Sequence, residues 1–426
     1  MKFINIFYLI LAILINLIYI SLLFFQIKLK YKKQLIRLLI TIIITNIILF
    51  SIYYSYYAQI FFSVIFILHL LPFFPNKEKN SFYNFPENYD ERKNMFSRNN
   101  LKNYPALKEK YYKIYPEHLK FDNKLHKMPE IGSSSNKYYH QYKSKIADAN
   151  FITTAKTAKN FREDISPTTE KVDFSPEELT KHIIEMAKYS GAIDISINKL
   201  DKKYVYSYHG RQAYNWGEEI KLNHKNVILI FVPMNFYDIE KAPNTNVIIA
   251  SSSAYLEAAK IAYLISEYIK LFGYEAKPHI DGNYDLLCTP LAGESGLGTI
   301  GKSGLFLHHK FGSLIRISAV TTNIELAYTP QIKKTYHLDN LCRICNNCVL
   351  NCPTKSIRQQ NNNKYYVRQE TCFAYWKTIG TDCAKCIKVC PMTKPDTLLF
   401  KCFKFYLSRN LITQKLGLLL NNLFLL

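Results

Sequence analysis

Hydrophobic and polar positions divide this chain into contrasting regions. Residues Phe3 to Ile27 form one apolar run without a charge, long enough at about 1.5 Å per helical residue to cross a hydrocarbon core of about 30 Å. A second apolar stretch, Leu35 to Phe74, is interrupted only by Arg37 and by polar residues such as Gln59 and His69. It predicts two short spans joined near Ser55 to Gln59, giving three membrane helices; one long span with an interfacial piece is the alternative. From about Asn76 to Phe174 the periodicity is weak and Lys, Asn and Tyr abound, as in a linker with a peripheral wrapping segment.

Globular patterning sharpens at Ser175-Pro176-Glu177-Glu178, a capping box with proline at the first helical position. Apolar Leu179, Ile183, Met186 and Ala187 follow at helical spacing, and Gly191 closes the helix. Ile193 to Ile197 alternates as a strand does, and the unbroken run Val227 to Val232 predicts a buried strand. Between Ala254 and Phe272 apolar residues recur at helical spacing up to Gly273, and Leu314 to Val320 reads as a further strand. Strands alternating with helices predict an α/β layer domain. The chain ends in an amphipathic stretch, read as a helix packing over the core.

Charge adds an orientation. Lys28, Lys30, Lys32, Lys33 and Arg37 lie between the first two spans, and such an excess of positive charge marks the cytoplasmic side. A multi-pass cell-membrane protein with its soluble part in the cytoplasm is therefore expected. A cleavable signal peptide fits poorly, since Lys2 alone forms the n-region, and no twin-arginine pair precedes the first span. The formal net charge of +22 suits a surface facing anionic lipid. Nucleic acid is not an expected partner, because no aromatic-plus-basic RNA-binding motif is present.

The cysteines carry the chemistry. Cys342-x2-Cys345-x2-Cys348-x3-Cys352-Pro353 is the spacing by which one loop gives three thiolates to a [4Fe–4S] cube and a fourth to a neighbouring cube. Cys372-x10-Cys383-x2-Cys386-x3-Cys390-Pro391 repeats it with a longer first interval. By the two-cluster pattern Cys342, Cys345, Cys348 and Cys390 hold one cluster, and Cys372, Cys383, Cys386 and Cys352 the other. Zinc sites use two separated pairs instead, and cytoplasmic thiols do not form disulfide frameworks. Cys288 and Cys402 fall outside both sets.

Gly296-Leu297-Gly298-Thr299-Ile300-Gly301-Lys302-Ser303 matches the letters of a phosphate-binding loop. Its context differs, because Pro290 and Gly293 precede it and Gly304 to Leu307 reads as extended. A turn that lets backbone approach a large flat cofactor is the preferred reading.

From about Ser175 to Leu426 the chain resembles the cobalamin-dependent reductive dehalogenases and, more distantly, the epoxyqueuosine reductases. The resemblance rests on Gly191-Ala192, Tyr204 to Ser207, Tyr255 through Tyr274, Gly296 to Gly304, Phe311-Gly312 with Arg316, and Thr321 to Leu326. The short interval from Cys372 to Cys383 looks like the dehalogenases. The resemblance implies a cobalamin-binding core of nitroreductase-like type and a two-[4Fe–4S] ferredoxin-like domain, preceded by the membrane helices. The implied organisation is a membrane anchor (1–75), a basic linker and peripheral segment (76–174), a catalytic core (175–335), a cluster domain (336–395) and a helical tail (396–426).

It further implies a corrinoid held base-off, without the Asp-x-His-x-x-Gly motif of cobalamin mutases, which this chain lacks. Gly296, Gly298, Gly301, Ser303 and Gly304 would contact that corrin. The implied reaction replaces carbon-bound halogen by hydrogen in a small organohalide, with electrons from a low-potential donor such as ferredoxin, flavodoxin or a membrane reductase. In the family the proton donor is a tyrosine helped by Lys or Arg; Tyr237 and Lys302 are assigned here, Tyr237 being chosen over Tyr255. An epoxyqueuosine reductase-like activity and an electron-transfer subunit without a substrate of its own are the alternatives.

Overall fold

The computed structural model describes residues 2–54, 58–60, 82–83, 85–161, 166–330, 336–360 and 364–424. It divides into two compact units: residues 80–335 with 346–393, and residues 1–79 with 336–345 and 394–426.

The first of these units is built on a four-stranded sheet of β1 (Asp194–Lys199), β2 (Asn226–Pro233), β3 (Ala276–His279) and β6 (Ile315–Thr322), in the order β1-β2-β6-β3. Two hairpins accompany it, β4 (Gly298–Ile300) with β5 (Phe306–His308), and β7 (Ile357–Gln359) with β8 (Tyr365–Val367). Every pair in the main sheet is antiparallel, so the α/β layering takes an α+β form. β2 is apolar throughout because both its faces are covered. Val227, Leu229 and Phe231 join a cluster with Leu286, Leu291 and Phe306, while the long helix Asn246–Lys270 packs on β2, β3 and β6, where Ala258 O accepts a 2.8 Å hydrogen bond from Ser318 Oγ. That helix begins earlier than its apolar periodicity suggests, because Ser251 and Ser252 are buried within it. Gly273, at φ +82°, ends the turn that follows.

The serine half of the capping box forms, with Ser175 Oγ accepting from Glu178 N–H at 3.3 Å ahead of the helix Pro176–Tyr189. Residues 82–161, read as linker and peripheral segment, carry helices at Met95–Asn100, Pro105–Ile114, Leu119–His126 and Gln141–Phe161. Gln141–Phe161 packs along Asn246–Lys270. The Arg98 guanidinium, buried, pairs with buried Asp122 at 2.7 Å and reaches Glu370 at 2.7 Å.

The other unit contains helices Lys2–Leu29 and Lys32–Tyr53, Tyr336–Ile344, and the tail helices Leu398–Leu407 and Leu411–Phe424. Among the described residues, three helices are long and apolar enough to cross a membrane: the two at the N-terminus and Asn246–Lys270. The third packs on the sheet. The expected third span, in residues 55–74, lies largely outside the described residues. Within this unit the tail packs on the N-terminal helices: Phe400 and Phe424 share a cluster with Leu38, Tyr19 and Leu22.

Candidate functional site

Four of the eight cysteines converge within the sheet-bearing unit. Cys352 follows the helical turn Asn347–Leu350, Cys372 lies on the helix Gln369–Ile379, and Cys386 on the turn Lys385–Lys388. Cys383 precedes Ala384, whose left-handed φ of 48° reverses the chain between these two thiols. Burial, together with the neighbouring Cys383 and Cys352, pushes the Cys372 thiol up to about 12. Burial with Cys383, Cys372 and Cys352 likewise raises Cys386. Burial opposes ionisation of Cys352 as well, yet this thiol is held low because backbone N–H groups of Ser356, Ile357 and Thr354 point at its sulfur, Ser356 N–H at 3.2 Å. Three thiols whose ionisation their sulfur neighbours oppose, Cys372, Cys383 and Cys386, beside a fourth held low, fit a positively charged inorganic centre among them. Among the described residues, no group of three His, Cys, Asp or Glu side chains is placed to hold a single metal ion. Cys342 lies on the helix Tyr336–Ile344 and Cys345 just after it, in the other unit, whereas Cys348 and Cys390 lie in the sheet-bearing unit.

Next to these thiols is a cavity of about 240 Å³. Tyr255 enters it from the long helix, Ile315, Arg316 and Ile317 from β6, Phe306 from β5, and Cys288 from the helix Cys288–Glu294. Ile387, the neighbour of Cys386, also lines it. The Arg316 guanidinium lies 4.9 Å from the centre of the Tyr255 ring. It donates from Nη2 to Ser251 Oγ at 2.6 Å and stands 3.7 Å from Asp382 Oδ2. Its Nε, although buried, has no hydrogen-bond partner among the described residues. Burial pushes the Tyr255 phenol up to about 12, with Arg316 drawing it down. Burial also raises the other cavity tyrosines, Tyr206 and Tyr284; Tyr284 is tied by its hydroxyl to Ile317 O at 2.8 Å.

The assigned pair is placed elsewhere. Tyr237 sits half-buried on the short helix Phe236–Ile239, its ring 5.4 Å from Phe236. Lys302 is buried in the β4–β5 turn, where it donates to Asn346 Oδ1 at 2.8 Å and lies 5.1 Å from the Tyr365 ring centre. Neither lines the cavity. Tyr255 and Arg316 were both legible as part of the resemblance, but nothing local in the sequence joins them.

The glycine block forms this hairpin and no helix opens from it, so the context of a phosphate-binding loop is missing. Gly296 turns at φ +76°. A Cβ on Gly298 would fall 2.6 Å from the Phe306 ring, and one on Gly304, at φ +72°, 2.8 Å from Tyr83. Gly301 and Gly304 close the turn through a 2.9 Å backbone hydrogen bond, with Ser303 inside it. None of the five lines the cavity, but Leu305 and Phe306 immediately after them do.

A second, polar pocket of about 260 Å³ shares Tyr284 with the first and is lined by Glu91, His209, Arg211, Asn215, Asn283 and Asp285, among others. Asn215 Oδ1 and Asn283 Nδ2 are buried there without hydrogen-bond partners among the described residues. Partnerless buried amides next to an aromatic cavity fit a large amphiphilic ligand bearing its own amides.

No protein-family profile matches the chain. It is 27 % identical over 206 residues to a tetrachloroethene reductive dehalogenase of Desulfitobacterium hafniense, a match covering 44 % of this chain and 37 % of that one. It is 24 % identical over 259 residues to the enzyme of the same description from Sulfurospirillum multivorans, covering 51 % of each. The chain thus spans about half or less of the length of these relatives. An epoxyqueuosine reductase of Lactococcus garvieae is 27 % identical over 124 residues, 26 % of this chain and 32 % of that one. Among solved structures, a catabolic reductive dehalogenase superposes with a TM-score of 0.61 at 19 % identity, covering 79 % of this chain and 46 % of that one. A reductive dehalogenase described for B12-dependent dehalogenation gives 0.56 at 18 %, over 70 % of this chain and 45 % of that one. In sequence this chain is similar to tetrachloroethene reductive dehalogenases and, over a shorter stretch, to an epoxyqueuosine reductase, and its fold is similar to that of solved reductive dehalogenases.

Proposed function

We propose that this protein is a membrane-anchored reductase that replaces carbon-bound halogen by hydrogen, using base-off cobalamin and two [4Fe–4S] clusters. The observation that carries the reading is the Tyr255–Arg316 pair in a cavity whose wall includes Ile387, the residue beside cluster cysteine Cys386. Replacing halogen by hydrogen takes two electrons and one proton and releases halide, so the site needs a one-electron wire and an acid beside it. Cobalamin, when bound, supplies the strongly reducing centre that breaks the carbon–halogen bond.

The chain's own residues supply the rest. Cys352, Cys372, Cys383 and Cys386 are the cluster ligands nearest the cavity in this reading, and Cys342, Cys345, Cys348 and Cys390 hold the second cluster. Tyr255 is the proton donor. Its phenol keeps its proton at neutral pH, and Arg316 stabilises the phenolate left after transfer. Ser251 and Asp382 orient the guanidinium. Tyr255 and Arg316 have the better support over Tyr237 and Lys302, because they alone combine a cation–ring contact with access to the cavity. The hydrophobic wall would hold the corrin face and the halogenated carbon, and the adjoining amide-rich pocket would take the ligand's polar periphery. The Gly296–Gly304 block contributes by shaping the hairpin that presents Leu305 and Phe306.

The electron donor is a low-potential carrier such as ferredoxin, flavodoxin or a membrane reductase, and the soluble part of the chain faces the cytoplasm. Anaerobic purification with metal analysis, followed by halide release from halogenated phenols and alkenes under a low-potential donor, tests the proposal. Stoichiometric cobalt, about eight iron atoms per chain and halide release are expected. Iron without cobalt would leave a bare electron carrier, and cobalt with turnover only of an epoxide-bearing nucleoside would make the chain an epoxyqueuosine reductase.

A further inference from the structure

The tail helix Leu411–Phe424 has its polarity inside out. Leu411, Ile412, Leu416, Leu419, Leu420 and Leu423 are 39–53 % exposed, and at helical spacing they fall on one half of the helix. The opposite half is buried and carries Thr413, Gln414, Gly417 and Asn421 together with Leu418 and Phe424. A helix of a water-soluble domain has the reverse arrangement. Lys415 and Asn422 sit at one edge of the outer face.

The same unit supplies the setting. Phe424 packs in one cluster with Leu38, Tyr19 and Leu22. Gln26 Nε2 donates to Phe424 O at 3.2 Å, and Arg37 Nη1 to Leu423 O at 3.4 Å. These residues belong to the facing ends of the two N-terminal apolar helices, one or two turns from the basic loop of Lys28, Lys30, Lys32 and Lys33. The outer leucines therefore continue the lipid-type surface of those helices at the level where headgroups give way to acyl chains. On its inner side Gln414 Nε2 donates to His337 O at 2.8 Å, gripping the first turn of the Tyr336–Ile344 helix that carries Cys342.

We propose that Leu411–Phe424 is a monotopic membrane helix. It lies in the surface of the leaflet bordering the basic loop, with its leucine face among the acyl chains of anionic lipid, and it holds the Cys342 helix at that surface. The inference rests on the reading of the two N-terminal helices as membrane spans, and its test separates the two. The full chain is reconstituted with its cofactors in vesicles of phosphatidylcholine and phosphatidylglycerol. Photoreactive p-benzoylphenylalanine is placed at one position at a time, and the adducts are identified by mass spectrometry. Leu419→p-benzoylphenylalanine tests the tail face. Ile43→p-benzoylphenylalanine, on the exposed side of the second apolar helix, tests the span. Tyr189→p-benzoylphenylalanine, exposed in the sheet-bearing unit, is the aqueous control. Lipid adducts at positions 419 and 43 and none at 189 are expected. Lipid adducts at 43 but not 419 overturn the proposal and leave the spans standing. So do adducts from 419 to residues 61–81 or to a second copy of the chain. Absence of lipid adducts at both 43 and 419 overturns the spans and the proposal together.

Discussion

The guanidinium of Arg316, on β6, lies 4.9 Å over the ring of Tyr255, on the helix packed behind that strand, and 3.7 Å from Asp382, the residue before Cys383. One cation thus touches the candidate acid and the loop that carries the proposed cluster ligand Cys383.

Replacing Tyr255 by Phe removes the proposed proton donor and leaves the ring in place. Turnover should fall by about 10²- to 10⁴-fold, while cobalt and iron contents stay at their native values. Tyr237→Phe should retain turnover. Halide-release assays paired with metal analysis read both; a silent Tyr255→Phe would move the acid elsewhere.

The pH behaviour of Tyr255 follows from its burial. Its phenol titrates near 10 in the unfolded chain and is pushed up to about 12 in the folded one. The folded state therefore binds this proton more tightly. The associated stability is fully present below pH 10 and is lost as pH rises through 12. No alkaline loss of activity below pH 10 should come from this group. Arg316→Met raises the phenol further and should lower kcat without creating a new alkaline limb, as a pH–rate profile would record.

The proposed cluster cysteines and Cys288 should separate by iron content. Cys372→Ser or Cys386→Ser should lower iron from about eight to about four atoms per chain and abolish turnover. Cys288→Ser, at a half-buried thiol lining the cavity but outside the cluster spacing, should keep all the iron. Iron analysis and low-temperature electron paramagnetic resonance distinguish these outcomes.

Arg98→Ala should be costly although it lies far from the cavity in sequence. The substitution leaves Asp122 buried without its partner, a loss of about 3–5 kcal/mol. It also frees Glu370, two residues before Cys372, from a 2.7 Å ion pair. Thermal unfolding of the loaded protein should show a lower midpoint, and Arg98→Lys should restore only part of it.

Much of this protein is written in short stretches of sequence. The apolar runs at the N-terminus form helices because a run of about twenty such residues, rising about 1.5 Å at each, needs no partner beyond lipid. The Ser175 capping box, the unbroken strand at Val227 to Val232 and the cysteine spacing are likewise local, since each depends on residues a few positions apart. Other features depend on what packs against what. Ser251 and Ser252 look polar in sequence, yet they are helical and buried because Arg316 and Asn150 satisfy their hydroxyls. The segment from Phe82 to Phe161 looks like a linker because its anchors are distant in the chain. Arg98 is held by Asp122 and Glu370, and the Phe82 carbonyl accepts from Tyr365 N–H at 2.7 Å, a strand contact no local pattern announces. The tail's leucine face could be read as core until Phe424 met Leu38 and left those leucines outside.

The proposed proton-donating pair shows the same division. Thirty-three tyrosines are equivalent to any reading that works along the chain, and Tyr237 with Lys302 satisfied the expected separation. What distinguishes Tyr255 is that its helix crosses β6 where Arg316 projects into the same cavity. The sequence by itself determined the apolar helices, the thiol spacing and the buried strand, because those follow from neighbours along the chain. Only the tertiary structure decided which phenol meets which cation, because that contact comes from the packing of a helix on a sheet.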